Sequence, residues 1–351
     1  DVVEATREQI QIGEESGLVP VITHMKVMGP NNWGKSVQTV KLIEEANERG
    51  TYTAADVYPY LAAQTGLTYL VPEWAQEGGT DAMLERFRDP GLRPVIADEI
   101  EEIMQGMVGT ADNVYFPAKK MTLDEIASEM GVEPAEAVMR TLESEGSLNT
   151  IYHFGSEEDF KRILLHPTTA LASDGGATTS DSTHPRRYGS QPRLLGKYVR
   201  EEGYLYWADA VLKMTGLPAT IIGMVDRGFI AEGMVADVTV FDPETVIDTA
   251  TFDNPKQYAE GIEYVLINGK LALVEGELTG VKAGKALRRS MNMPSRPMNH
   301  SKQIHIDGKG KLLPIDPPRS GYKPQIEFSL NQDPDEIQAR GYFRLKDRKR
   351  G

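Results

Sequence analysis

Residues 19–60 carry the pattern that limits the fold most. An apolar run, Val19, Val21 and Ile22, is broken at Gly29-Pro30. Val37, Val40, Ile43 and Ala46 then recur at helical spacing up to Gly50, and a second apolar run, TYTAADVYPY, ends in Tyr58 and Tyr60 around Pro59. Strand, helix and strand in that order make a βαβ unit, which favours a parallel sheet. The first run closes on His24 and Lys26, two residues apart, so strand alternation predicts both side chains on one face. A His and a Lys just before a loop suit the C-terminal face of an α/β barrel. His24 therefore reads as a metal ligand and Lys26 as a substrate contact.

The rest of the chain falls into place around that unit. Residues 2–16 read as a helix closed by Gly17. Ser36 is placed to cap the helix that follows it. Residues 61–150 read as a helical insertion, with a capping box from Thr122 and Glu125 and a helix opened by Pro134. A short strand is expected over 150–154, a helix over 157–165, and an apolar strand over 168–173 that ends at Asp174 and Gly175-Gly176. A Gly- and Ser-rich loop, carrying His184, Arg186 and Arg187, leads to helices over 192–201 and 206–214. Alternating residues and an Asn268-Gly269 turn mark a small β appendage. The expected division is 1–225 for the α/β part, 226–287 for the appendage and 288–351 for an extended tail.

Each candidate residue has a bland reading beside the sharp one. Asp174 at the end of an apolar strand is either a turn or cap residue, or a metal-bound carboxylate that takes a proton from attacking water. Arg186 is either a solvated surface residue or a bidentate clamp for a carboxylate. Tyr58, Tyr60 and Tyr152 at strand ends are by themselves packing residues. His153 and His166 read as structural, and His184 as a residue that orders the Arg186 loop. The segment from Gly29 to Ser36, GPNNWGKS, also satisfies the phosphate-loop pattern. Pro30 removes one amide from such a loop, however, and Trp33 adds bulk where the backbone must hug an anion. Nucleotide binding is thus one alternative, and a non-catalytic half-barrel subunit is another. A net charge of −14 argues against a general nucleic-acid binder. The absence of cysteine excludes a thiolate zinc site within this chain. No apolar run approaches the ~20 residues that span a bilayer. No signal-peptide pattern is present, so the expected location is cytoplasmic.

Taken together, ITHMKVMGPNNWGKS, DVYPY, ASDGG, HPRRYGSQPRLLGKYVRE, KMTGLPA, DRGFIAEGMVADVTVFDPETV and the NGK hairpin resemble the D-aminoacylase (N-acyl-D-amino-acid deacylase) family of the amidohydrolase superfamily. They occur in family order across roughly residues 1–287. The resemblance implies a metal-dependent (β/α)8 TIM barrel with a small β-sandwich, one or two Zn2+ ions, and an N-acyl amino acid as substrate. It implies that His24 is a zinc ligand at the end of strand 6. Asp174, at the end of strand 8, would be the catalytic base and a second-metal ligand. Lys26, Tyr58 and Arg186 match substrate contacts, with Arg186 on the substrate carboxylate, and Tyr152 matches a side-chain-pocket position. Gly155 and Gln64 differ from many relatives. The family's remaining metal ligands lie on strands that precede the first strand here, and one His with one Asp cannot complete a site of about four ligands. The expectation is an N-terminal half of the barrel, of about 200 residues, as a separate or cleaved polypeptide. The resemblance also allows a homo-oligomer.

Overall fold

The computed structural model describes residues 1–287; the expected tail over 288–351 lies outside the described residues. In chain order the strands are β1 (Val21–Ile22), β2 (Ala54–Val57), β3 (Ala62–Gly66), β4 (Val114–Phe116), β5 (Met121–Thr122), β6 (Asn149–His153), β7 (Thr169–Leu171), β8 (Val238–Phe241), β9 (Ile262–Ile267), β10 (Lys270–Val274) and β11 (Glu277–Leu278). Among the described residues they form three sheets.

The first sheet is parallel, in the order β1-β2-β7, with Val21 opposite Ala54 and Asp56 opposite Ala170. The helix Ser36–Glu48 connects β1 to β2, and the helix Glu157–Leu165 precedes β7. Ala55, Val57 and Leu171 from the strands share one core with Ile43, Phe160, Ile163 and Leu164 from these helices. Ala54 and Ala55 are wholly buried, as expected for a central parallel strand covered on both faces. β1 and β7 each leave one edge unpaired among the described residues.

β1 is shorter than the sequence pattern predicts. The chain leaves the ladder after Ile22, and His24 adopts a left-handed backbone at φ 39°. The Asp56 carboxylate accepts the His24 N–H at 2.7 Å, and its carbonyl accepts the Met25 N–H at 2.8 Å. These bonds offset the roughly 1–2 kcal/mol that a left-handed L-residue costs.

Several local expectations hold. Gly17 ends the helix Val2–Ser16 at φ 69°; its cap at the other end, Asp1, was not anticipated. Thr122 and Glu125 form the capping box. Asn268 and Gly269 both take positive φ between β9 and β10, as a type I′ turn requires. Ser36 does not act as the cap; it is the first helical residue, and its hydroxyl is turned to the Asp159 carboxylate.

The insertion is not purely helical. Its helices pack against an antiparallel sheet in the order β3-β6-β4-β5, around a core of its own that includes Phe87, Ile96, Phe116, Met139 and Leu142. β3 reads AAQTG and β4 spans three residues, too little for alternation to show. The strand expected over 150–154 is β6 of this sheet. The appendage is one antiparallel sheet, β11-β10-β9-β8. The second layer of the expected sandwich is not among the described residues. No helix among the described residues is long and apolar enough to cross a membrane.

The phosphate-loop lookalike is occupied from within. The Asp159 carboxylate accepts the Gly34 N–H at 2.8 Å, the Ser36 N–H at 3.3 Å and the Ser36 hydroxyl. Lys35 turns away to Asn32 and Asp1, at 2.6 and 3.0 Å. The amides that would cradle phosphate already hold a buried internal anion, which corrects the nucleotide-binding alternative. Asp159→Ala should lower stability by about 3 kcal/mol, because it strands the buried Ser36 amide and hydroxyl and frees the Gly34 amide. Urea unfolding of the variant beside the wild type measures it.

Candidate active site

Parallel strands deliver their C-terminal ends to one side of the sheet. His24 lies two residues beyond β1, Tyr58 one beyond β2 and Asp174 three beyond β7. His24 and Asp174 are the exposed members, both left-handed, Asp174 at φ 45°. Lys26 Nζ lies 2.9 Å from His24 Nδ1. The expected neighbours therefore do meet, but through a left-handed turn rather than strand alternation.

The buried Tyr58 ring organises the remaining groups. Lys26 Nζ lies 5.4 Å and the Arg186 guanidinium 4.6 Å from its centroid, both within cation–π reach. Arg186 Nη1 pairs with Asp174 Oδ2 at 2.9 Å. Arg186 is not in the loop, as the sequence reading had it. It opens the helix Arg186–Arg193 and is 6% exposed. Pro192 sits inside that helix, and the chain continues as a wider π-type helix, Leu194–Glu201.

His184 fixes where Arg186 starts. Its Nδ1 accepts the Arg186 N–H at 3.0 Å, and its Nε2 lies 3.0 Å from the Ala62 carbonyl. An acceptor at Nδ1 and a carbonyl at Nε2 select the neutral tautomer protonated on Nε2. Burial, aided by the Arg186 charge, holds this imidazole well below its usual pKa. The expected ordering role of His184 is what these bonds provide.

Burial pushes Lys26 down to about 8; Asp174 pulls it back up, and Arg186 adds to the lowering. Burial pushes Tyr58 up to about 12, tempered by Arg186. Tyr58 is therefore a neutral phenol at pH 7, and its buried hydroxyl makes no hydrogen bond of good geometry among the described residues. Burial also raises Asp56, although its bond to the His24 amide opposes this.

Sequence reasoning missed Asp56. Its signal was a lone carboxylate inside the apolar AADV strand. Tyr152 was expected at the site but is not brought to it. It is fully buried in the insertion core, with its hydroxyl donating to the Gly66 carbonyl at 3.1 Å. Gly155 borders a small pocket together with Lys26, Tyr58, Leu61 and Phe154. Gln64 lies on β3, its buried Nε2 without a partner among the described residues. Among the described residues no three His, Asp or Glu side chains converge as a complete metal site.

Residues 3–272 match the profile of the Amidohydrolase family. An N-acyl-D-glutamate deacylase of Alcaligenes xylosoxydans xylosoxydans is 35% identical over 298 residues, covering 85% of this chain and 54% of that protein. A D-aminoacylase of the same organism is 36% identical over 290 residues, covering 82% and 52%. Among solved structures, the N-acyl-D-glutamate deacylase of Bordetella bronchiseptica, complexed with zinc and a phosphonate inhibitor, superposes with a TM-score of 0.61. It is 33% identical, over 77% of this chain and 50% of that one. A D-aminoacylase crystal structure gives 0.65 at 32% identity, over 82% and 53%. The chain spans about half the length of the curated relatives it matches. The parallel sheet with its helices is part of an α/β TIM-barrel domain, as in these structures.

Reductive 13C-methylation followed by NMR titration should give Lys26 a midpoint near 8, below the exposed lysines. Asp174→Asn should lower it further, because the carboxylate favours the ammonium.

Proposed function

The chain belongs to the amidohydrolase family, in its D-aminoacylase branch, and we propose that it forms the C-terminal part of a zinc-dependent barrel that hydrolyses the amide bond of N-acyl-D-amino acids. The observation that carries the reading is the gathering of His24, Lys26, Tyr58, Asp174 and Arg186 at one end of three parallel strands.

The donor types fit a divalent ion. An exposed imidazole and an exposed carboxylate stand at the ends of β1 and β7, and both suit zinc. His24 and Asp174 would be its ligands from this chain. The chemistry a bound ion supplies there is polarisation of the acyl carbonyl and acidification of water. The other ligands come, in this proposal, from an N-terminal half of the barrel, a separate or cleaved polypeptide. The unpaired edges of β1 and β7 support it, since closing a barrel removes such edges.

Each residue of this chain has a role. Asp174 takes the proton from the attacking water and passes it to the leaving amine. Arg186 orients the substrate by its carboxylate; its buried Nε has no partner among the described residues and is a donor still to be used. The neutral Tyr58 hydroxyl or the Lys26 ammonium donates to the developing oxyanion.

The test is co-expression of this chain with a polypeptide carrying a His-x-His strand, followed by assay on N-acyl-D-amino acids with and without a chelator. Turnover should appear only with metal. Asp174→Asn should cut kcat by about 10²–10⁴ with the fold retained. Arg186→Ala should raise KM about tenfold or more, from the loss of a charged hydrogen bond. Metal-independent turnover, or full activity in Asp174→Asn, would overturn the proposal.

A further inference from the structure

The segment 248–258, between β8 and β9, leaves the appendage sheet and returns to the barrel side of the molecule. Three of the contacts that fasten it there lie near the site. The Asp248 carboxylate accepts the Tyr60 hydroxyl and Arg193 Nη1, both at 3.1 Å. The Phe252 ring packs edge-on against His184, 5.2 Å between centroids. Lys256 Nζ donates to Asp181 at 2.6 Å, on the loop that leads to Arg186.

The middle contact bears on the site. His184 uses both ring nitrogens, one on the Arg186 amide and one on the Ala62 carbonyl. Two in-plane bonds leave the ring free to tilt about the line joining them, and only packing against its faces and edges resists that tilt. Phe252 and Tyr60, 5.3 Å away, supply the two closer ring contacts, and Tyr58 a looser one at 6.1 Å. Asp248 in turn holds the Tyr60 hydroxyl, so the two closer contacts depend on the same segment.

We infer that the 248–258 strap sets the position of Arg186, with Phe252 as a positioning residue acting through His184. The link from strap to Arg186 is independent of the reaction proposed above. What it governs, the reading of the substrate carboxylate, rests on that proposal. The small sheet then does more than cap the barrel: it controls how firmly the carboxylate clamp is held.

Hydrogen exchange read by mass spectrometry on the full chain tests the link directly. Phe252→Ala should speed exchange of the Arg186–Tyr188 amides at least tenfold, while the helix Arg93–Met107 exchanges as before. Phe252→Tyr keeps the ring and should keep the protection. Unchanged exchange near Arg186 would overturn the inference, as would equal acceleration in the helix Arg93–Met107, which marks general loosening. In the active assembly, Phe252→Ala should raise KM severalfold for carboxylate-bearing substrates, with kcat changed less. The same substrate with its carboxylate amidated should show no such rise. An inactive wild-type assembly would count against the proposed reaction alone, since the exchange result decides the inference by itself.

Discussion

The structure depends on β2 being a central strand. It is paired on both edges, to β1 and to β7, and packed on both faces. That pairing fixes the register of three strand ends at once, and His24, Tyr58 and Asp174 inherit their spacing from it. Asp56, within the same strand, extends this control past the end of β1 by holding the His24 turn. A displacement of β2 would therefore move His24, Tyr58 and Asp174 together.

Much of the fold was legible because strong local signals agreed with the tertiary outcome. The apolar runs, the Gly17 stop, the Thr122–Glu125 box and the Asn268-Gly269 turn all report chemistry confined to a few residues. What stayed hidden depended on distant partners. Nothing near His24 announces a left-handed turn, because the group that stabilises it is Asp56. GPNNWGKS passes for a phosphate cradle until Asp159 is seen filling it. The insertion strands are short and low in β-branched residues, so periodicity had little to grip.

The site residues show the same division. Lys26, Tyr58, Asp174 and Arg186 form one cluster; the first three were visible as polar or aromatic residues at the ends of apolar runs, and Arg186 as a cation in the Gly- and Ser-rich stretch that follows one. Tyr152 satisfied the same rule yet lies in the insertion core, because its strand belongs to another sheet. Position at a strand end is informative only when the strand is parallel and in the right layer. Within the cluster, two cations flank one phenol ring, and one carboxylate balances Arg186.

The insertion's separate hydrophobic core has an evolutionary consequence. Its sheet begins at Ala62, directly after the Tyr58–Tyr60 strand end, yet its apolar contents are its own. Mutations that reshape its interior need not disturb the parallel strands, and drift in the strands need not unfold it. A lineage could exchange or resculpt this wall while inheriting the chemistry beneath it unchanged. The two parts can answer to different selective pressures within one polypeptide.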